Sequence, residues 1–223
     1  MGMIYHIWNR GVDGRPIFID DRDRKRFLRS LDKFNTDQPV RLNGENFYEV
    51  APRKKQVAIF AYTLLDNHFH ISLKELEQGG FTKFSRKLGT GYTLYFNKTH
   101  DRRGRLFERK IQSKKVTNDQ YFQHLIAYIH LNVLDMVSKD WRAGHLSQAK
   151  KLDLLLRYRW SSARAYLGNF SDPLVDFKEL SLHYPMDSFK QHKKYLLGWS
   201  KRNFDEVAPR EKERRRSALQ ADA

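Results

Sequence analysis

The chain of 223 residues carries 42 lysines and arginines against 26 acidic residues, for a formal net charge of +16, and it contains no cysteine. The lack of cysteine excludes a disulfide framework and a thiolate metal site, and it favours a reducing cytoplasm. The N-terminal residues lack the apolar stretch of a signal peptide, and no run approaches the roughly 20 apolar residues of a membrane span. A positive field of this size attracts polyanions, so we expect a cytoplasmic, nucleoid-associated protein whose partner is a nucleic acid.

The first predicted elements are a strand and a helix. Residues 3–8 (MIYHIW) alternate loosely and lead into an Asn-Arg-Gly turn, which indicates a strand followed by a loop. Asp20 and Asp21 then precede RDRKRFLRSLDKF, in which apolar residues recur at helical spacing. The two acids are the expected N-cap residues of this first helix.

A hairpin is predicted in the middle of the chain. Residues 56–65 (QVAIFAYTLL) and 68–73 (HFHISL) are apolar runs of strand length, separated by an Asp-Asn pair. This pattern is typical of two antiparallel strands that are buried on at least one face. The polar residues 37–55 before them are broken by Pro and Gly, and they predict a loop or a small excursion.

A second helix and a fourth strand follow. Residues 79–97 place aromatic and aliphatic side chains on one helical face, although Gly89 and Gly91 either weaken this helix or mark the close approach of another backbone. Residues 106–112 (LFERKIQ) predict a strand between basic loops, since the segment 98–115 holds eight Lys or Arg and two acids.

The clearest helix covers residues 117–137 (TNDQYFQHLIAYIHLNVLDMV). Shorter helices are predicted over 152–156 and 161–167, and the run REKERRR at 210–216 predicts a charged helix end or a disordered tail. The apolar stripe of the long helix consists of Phe122, Leu125, Ile126, Ile129, Val133, Met136 and Val137.

The order strand, helix, strand, strand, helix, strand, helix predicts an α+β fold. Because two adjacent strands form a hairpin, we expect an antiparallel sheet with helices packed on one side, in a ferredoxin-like or RRM-like layout. We divide the chain into a domain over residues 1–140 and a C-terminal helical extension with a basic tail over residues 141–223.

Two histidines on the second hairpin strand are candidate metal ligands. Alternate residues of a strand point to the same face, so His68 and His70 project together while Phe69 points the other way. Their imidazoles are able to share one metal ion. The alternative is a pair of half-buried histidines with ordinary hydrogen bonds, and the motif alone does not decide between the two.

The long helix offers the groups that would complete such a site. Tyr128 and Asn132 are four residues apart on its flank, with Cβ atoms about 5–6 Å from each other, and Tyr121 lies on the same side. If this flank meets the histidine face, the amide of Asn132 completes a His-His-Asn site and the hydroxyl of Tyr128 reaches a phosphate bound there. The alternative is a tyrosine at a helix boundary with no chemical role.

Five sequence blocks carry a resemblance to a known family. They occur in the order YHIWNRGVDGRPIFIDD, DNHFH, FERKIQSKKV, YIHLNV and YRWSSARAYLG. In these blocks the chain resembles the single-tyrosine transposases of the HUH endonuclease superfamily, and most closely the REP-associated tyrosine transposases. Two residues depart from the family's pattern. Asp66 stands where relatives usually have Pro, and Val133 replaces the Pro after the third ligand, so that the helix is free to continue.

The resemblance implies a catalytic domain over residues 1–140. By position, His68, His70 and Asn132 would hold a divalent metal, Mg²⁺ or Mn²⁺, and Tyr128 would be the nucleophile. The implied activity is that of a metal-dependent transposase or endonuclease. Such an enzyme cleaves and rejoins single-stranded DNA next to hairpins through a 5′-phosphotyrosine intermediate, and it acts as a monomer or a homodimer.

Two further histidines compete for a role in proton transfer. A free phenol has a pKa of about 10, so a tyrosine nucleophile needs help from a base, a metal or nearby cations. His124 lies one turn before Tyr128 on the same side and is the candidate proton acceptor. His130 points away from Tyr128, which predicts a structural or DNA-facing role.

A basic segment and several aromatic residues are expected to bind the nucleic acid. Trp8, Tyr92, Phe107 and Trp160 are candidate stacking groups, although we expect most of them in the core. The predicted phosphate contacts, each with a solvated surface charge as its alternative, are Arg102, Arg103, Arg105, Arg109, Lys110, Lys114 and Lys115.

Two other functions remain open from the sequence. The first is a noncatalytic, RRM-like nucleic-acid-binding protein, whose binding would not depend on Tyr128. The second is a metal-dependent nuclease that uses water, in which Tyr128→Phe would leave cleavage intact. A covalent protein–DNA product separates both from a tyrosine transposase.

Overall fold

A computed structural model describes residues 2–43, 46–48, 54–137, 141, 145–168, 170–183 and 189–198. The predicted α+β class with an antiparallel sheet is confirmed. The four strands of the sheet are β1 (Ile4–Arg10), β4 (Val57–Leu65), β5 (His68–Glu75) and β6 (Gln112–Lys115), in the spatial order β4-β5-β1-β6. A separate two-stranded hairpin pairs β2 (Arg41–Asn43) with β3 (Asn46–Tyr48), which is the small excursion expected in this region.

The β4–β5 hairpin is confirmed, and its turn is tied to the loop that follows β1. The backbone N–H of Gly11 donates to the carbonyl of Asn67 at 2.9 Å, and the N–H of Ile17 donates to the carbonyl of Asp66 at 2.8 Å. The Asp66 side chain also forms an ion pair with Arg24. These contacts hold the start of β5 in place although Asp66 stands where a proline would stiffen the turn.

The strand predicted over residues 106–112 is wrong, because β6 begins only at Gln112. The apolar pair Leu106 and Phe107 is buried in the loop before β6, and Phe107 forms an isolated antiparallel bridge with Gly11. The Phe107 ring packs 6.1 Å from the Phe69 ring, and Asn9 Nδ2 donates to the carbonyl of Arg109 at 3.0 Å. This apolar run therefore contributes one bridge next to the end of β1 and not a continuous strand.

Helices α1 (Asp21–Lys33) and α2 (Gly80–Thr99) cover one face of the sheet. The Asp20 side chain caps α1 by accepting from the N–H groups of Arg22 and Asp23, as expected for an N-cap acid. The close approach predicted at Gly91 is real, but it comes from a side chain and not from a backbone. A Cβ at Gly91 would lie 2.3 Å from Cζ of Phe34.

Helix α3 (Asp119–Leu131) lies on the other face, so the prediction of helices on one side holds only for α1 and α2. The Phe69 ring packs 4.9 Å from Phe27 of α1, whereas the ring of the next residue, His70, packs 5.3 Å from Tyr128 of α3. Because successive strand residues point to opposite faces, the two helices lie on opposite sides of β5.

The long helix is shorter than predicted. The α-helical geometry of α3 ends at Leu131 and continues as a 3-10 turn over Asn132–Met136. At this point the Tyr128 carbonyl accepts two bonds from Asn132, the regular helical one from its backbone N–H and one from its side-chain Nδ2 at 2.6 Å. The predicted apolar stripe also stops early, since Met136 and Val137 are 45% and 53% exposed.

The C-terminal part packs on β4 and α3. Tyr166 donates from its hydroxyl to the carbonyl of Phe60 at 2.7 Å, and the N–H of Leu64 donates to the carbonyl of Trp160 at 3.0 Å. The predicted boundary at residue 140 stays a prediction, and residues 210–216 lie outside the described part. The helices here are α4 (Gln148–Arg157), α5 (Ala163–Tyr166), α6 (Phe177–Leu180) and α7 (Phe189–Leu197).

Among the helices described, none combines the length and apolar character needed to cross a membrane.

Candidate active site

Strand register brings the polar residues of three strands to one face of the sheet. Directly paired residues of antiparallel strands point to the same side. On β5 and β1 the pairs are His68 with Arg10 and His70 with Trp8. His6 of β1 is paired with Ser72 on one side and with Lys114 of β6 on the other. The face that carries both predicted metal ligands therefore also carries His6, Trp8, Arg10 and Lys114.

Helix α3 places Tyr128 against this face. The Tyr128 ring lies 5.3 Å from the ring of His70 and 5.7 Å from the ring of His6, measured between centroids. The rings of His68 and His70 are 5.2 Å apart and nearly perpendicular. Tyr128 is 5% exposed and Asn132 is 3% exposed. The structure thus brings the tyrosine flank of α3 to the histidines, which is the condition that the sequence analysis left open.

The tautomer of His68 is fixed by its neighbour. His68 Nδ1 lies 2.6 Å from Oδ1 of Asn67, and Nδ2 of the same amide donates to the carbonyl of Gly14 at 3.1 Å. The contact with Gly14 determines which end of the amide faces the ring. Because an amide oxygen only accepts, His68 must donate from Nδ1, and its Nε2 keeps the lone pair that a metal needs.

His6 is a candidate site residue that sequence reasoning missed. Its Nε2 lies 3.0 Å from Nδ1 of His70. Like His68, His70 is therefore held through Nδ1, and its Nε2 is the nitrogen that could bind a metal. The pattern of β1 could have revealed it, because His6 alternates with Trp8 on one side of the strand. Within the described residues, Nδ1 of His6 has no hydrogen-bond partner.

The three imidazoles are neutral near pH 7. Burial lowers the pKa of His6 to about 3, with a smaller contribution from the charge of Lys114. Burial also lowers the pKa of His68 to about 4, assisted by Arg10 and partly opposed by Asp66. The pKa of His70 lies well below its usual range for the same reason, with the two neighbouring histidines adding to the effect. Metal ligation needs the neutral ring, so this environment suits it.

The donor set fits a divalent cation, with one condition. The Nε2 atoms of His68 and His70 are two candidate ligands, and the Asn132 amide directs its Nδ2 to the Tyr128 carbonyl, so its oxygen is the third candidate. Imidazole nitrogen suits Mn²⁺ better than Mg²⁺, which prefers oxygen ligands, whereas the amide oxygen suits both ions. In the described part of the chain, no three His, Cys, Asp or Glu side chains form a metal cluster. A cation here therefore depends on the Asn132 amide, water or a substrate oxygen for its remaining ligands.

The predicted phosphate-binding residues separate by face. Lys114 pairs with His6 and lies on the site face, where its Nζ is 4.7 Å from the ring centroid of Tyr121. Lys115 pairs with Tyr5, whose ring stacks on Phe81 of α2, so Lys115 points to the opposite face. The others stand in the loop before β6, exposed except for the half-buried Arg102: Arg102, Arg103, Arg105, Arg109 and Lys110.

The remaining aromatic and histidine candidates differ in exposure. Tyr92, Phe107 and Trp160 are buried, whereas Trp8 is partly exposed. His130 is fully buried, with Nε2 at 2.9 Å from Oγ of Ser162, which supports its structural role and excludes the DNA-facing one. The role of His124 as a proton acceptor stays a prediction.

Comparison with known proteins gives a distant structural likeness. No protein-family model matches the sequence, and no curated protein is significantly similar to it. Among solved structures, the chain is similar to a REP-associated tyrosine transposase bound to a REP hairpin, with a TM-score of 0.44 and 12% sequence identity. The similarity covers 79% of this chain and 88% of that one.

Proposed function

We propose that the chain is a metal-dependent endonuclease and strand transferase that acts on single-stranded DNA, of the HUH single-tyrosine type. One observation carries the proposal. Tyr128 and the two histidines of the DNHFH block come from distant parts of the sequence, yet the Tyr128 ring lies 5.3 Å from the His70 ring. The order of the five sequence blocks gives the same assignment independently.

Each side chain has a distinct role in this proposal. His68 and His70 would hold a divalent cation through Nε2, and Asn132 would add its amide oxygen. Asn67 and His6 would act as positioning residues, because each occupies the Nδ1 atom of one ligand. When bound, the cation would polarise the scissile phosphate and screen its charge.

Tyr128 would supply the nucleophilic oxygen. In the proposed step its phenol oxygen forms a bond to the scissile phosphorus and gives up its proton, while the bond from phosphorus to the 3′ oxygen breaks. The 3′ oxygen takes up a proton and leaves as a hydroxyl, and the 5′ end stays on the protein as a phosphotyrosine ester. This ester conserves the bond for later rejoining, which distinguishes the reaction from hydrolysis.

One copy of the chain carries all of these groups. Tyr128 meets the histidines within the same chain, so catalysis would not require a swapped helix from a second copy. This favours the monomer of the two oligomeric states that the resemblance allows.

The surface charge supports a polyanionic substrate. The net charge is +16, and the basic loop before β6 leads onto the strand that carries Lys114. Single-stranded DNA with a hairpin is the substrate that the sequence resemblance suggests.

The test is a covalent trapping assay. The protein is incubated with a single-stranded hairpin oligonucleotide and Mn²⁺, and the products are separated under denaturing conditions. We expect an adduct in the parent protein that disappears in Tyr128→Phe and on addition of EDTA. Tyr5→Phe is the matched control, since it removes a phenol oxygen from the opposite face of the sheet and should retain the adduct.

The assay also separates the alternatives. Cleavage without an adduct, unchanged in Tyr128→Phe, would indicate a nuclease that uses water. Binding without cleavage in any metal would indicate a noncatalytic nucleic-acid-binding protein. Either result would overturn the proposal.

A further inference from the structure

Trp8 is a large aromatic residue that the fold does not use for its core. It lies on the site face of β1, paired with His70 on one side and with Gln112 of β6 on the other. Its neighbours Ile4 and Tyr5 pack against the hydrophobic core of the described residues, whereas Trp8 does not belong to that set and is partly exposed. The Trp8 ring lies 4.8 Å from the ring of His6, measured between centroids.

A partly exposed indole beside a polar site has a physical cost. Burying an aromatic side chain stabilises a fold, and an uncovered one forgoes part of that gain. The accessible part of an aromatic ring is a surface on which an unpaired base stacks. The immediate neighbours across the strands, His70 and Gln112, are polar, so they do not extend Trp8 into an apolar patch for protein docking.

Lys114 provides a cation on the same face, one strand away. The register pairs it with His6, and its charge contributes to the lowered pKa of that ring. Its Nζ also lies 4.7 Å from the ring centroid of Tyr121 on α3. The Tyr121 hydroxyl is buried and has no hydrogen-bond partner within the described residues. A lysine, an unpaired hydroxyl and an indole therefore surround the β6 side of the histidines.

We propose that Trp8 stacks on an unpaired base of single-stranded DNA and that Lys114 binds a phosphate of the same strand. Together they form a track, defined by Trp8, Gln112 and Lys114, that leads from the histidines to the edge strand β6. The inference rests on the proposed function, because it places this nucleotide next to the phosphate that Tyr128 attacks. It assigns to Lys114 alone, of the seven predicted basic residues, a position at the reacting strand.

The expected effects differ for the two residues. Loss of a stacking ring weakens single-strand affinity by about tenfold to a hundredfold, whereas Trp8→Phe should retain most of it. Loss of one phosphate contact weakens binding and lowers the slope of log affinity against log salt by about 0.7.

The experiment measures binding apart from chemistry. All variants carry Tyr128→Phe and are studied in EDTA with a hairpin that has an unpaired 5′ tail, and with a blunt hairpin of the same stem. Intrinsic fluorescence reports stacking. We expect the tailed hairpin to quench the parent, Trp8→Phe to lose the quench but not the affinity, and Trp8→Leu to lose both.

The lysine is tested against a matched control. Lys114→Met should lower the salt slope for the tailed hairpin, whereas Lys83→Met removes the same charge from exposed α2 on the opposite layer and should leave the slope within error. Two results would overturn the proposal. One is that Trp8→Leu binds the tailed hairpin within twofold of the parent affinity, and the other is that the two lysine variants have equal salt slopes.

Failure of this inference is distinguishable from failure of the proposed function. Tail-dependent quenching with no adduct in the covalent assay would remove the catalytic proposal and leave the track. An adduct of unchanged yield in Trp8→Leu and Lys114→Met would remove the track and leave the catalytic proposal.

Discussion

The two faces of the central sheet are built from different chemistry. Towards α1 and α2, strand β5 presents Phe69, Ile71 and Leu73, all fully buried among aromatic rings. Towards α3, the same strand presents His70 and Ser72, which are also buried. Both faces are covered, so exposure does not explain the difference.

The comparison shows where the fold gains stability and where it gives stability up. Apolar burial stabilises the α1–α2 layer. On the α3 layer, buried polar groups must find partners, and Nδ1 of His6 and Oγ of Ser72 have none within the described residues. The buried polar groups of the α3 layer lower the stability of the fold, and such a loss is typical of functional sites.

The largest expected effect is acid destabilisation of the α3 layer. His130 and His192 are buried there, and burial lowers the pKa of His192 to about 3 and that of His130 well below its usual range. Between about pH 6.5 and pH 3 the unfolded chain binds protons that the folded chain does not. Each of these histidines should then lower the free energy of unfolding by up to about 1.4 kcal/mol per pH unit.

Urea unfolding in EDTA at a series of pH values measures this effect. We expect constant stability between about pH 7 and pH 9 and a steep fall below about pH 6. The double variant His130→Asn, His192→Asn should show a shallower fall. An equally steep fall in that variant would show that these two histidines are not the cause.

The next effect contrasts adjacent residues on the two faces. Phe69→Ala should destabilise the fold by about 3–5 kcal/mol, because it leaves a cavity in the apolar layer. His70→Ala should cost about 1–2 kcal/mol, since the ring it removes is polar and its burial was unfavourable. The loss of Mn²⁺ affinity should follow the reverse order in calorimetric titration. His70→Ala should no longer bind Mn²⁺, whereas folded Phe69→Ala should still bind it. Equal stability losses would contradict the division between the faces.

A smaller effect is expected from the positioning residue Asn67. Asn67→Leu removes the acceptor that fixes the His68 tautomer, so Mn²⁺ affinity should fall by about 10- to 100-fold. Asn67→Asp keeps an acceptor oxygen and should restore part of the affinity. Titration calorimetry measures the Mn²⁺ affinity of both variants. An unchanged affinity in both would show that Nε2 of His68 is not the ligand atom.

The smallest effect tests how tightly the apolar layer is packed. Gly89→Ala should stabilise α2 by up to about 1 kcal/mol, because the nearest atom to its Cβ would be Ile111 at 3.6 Å. Gly91→Ala should destabilise by about 1–2 kcal/mol, because its Cβ would meet the Phe34 ring. Thermal unfolding of the two variants should show shifts of opposite sign. Shifts of the same sign would mean that Phe34 moves aside freely.

The sequence predicted elements better than it predicted faces. Periodicity located α1, α2 and the β4–β5 hairpin, since their patterns depend on local residues. It did not show that α3 packs opposite α1, because the side of a sheet that a helix takes depends on contacts distant in sequence. Leu106 and Phe107 misled for a different reason. A short apolar run has the same pattern in a strand and in a buried loop, so periodicity does not distinguish the two.

The candidate site was predictable only in part. His68 and His70 share a face by strand alternation, and Tyr128 and Asn132 share one by helical spacing. His6 escaped notice because its contact with His70 depends on the register between β1 and β5, which the sequence does not state. Lys114 could be separated from Lys115 only once β6 was paired with β1.

The most direct test of the account is the identity of the residue that carries DNA. The adduct formed with a single-stranded hairpin and Mn²⁺ is digested with protease and nuclease, and the modified peptide is sequenced by mass spectrometry. We predict a nucleotide joined through its 5′ phosphate to Tyr128. A modification on any other residue, or cleaved DNA with an unmodified Tyr128, would contradict the account.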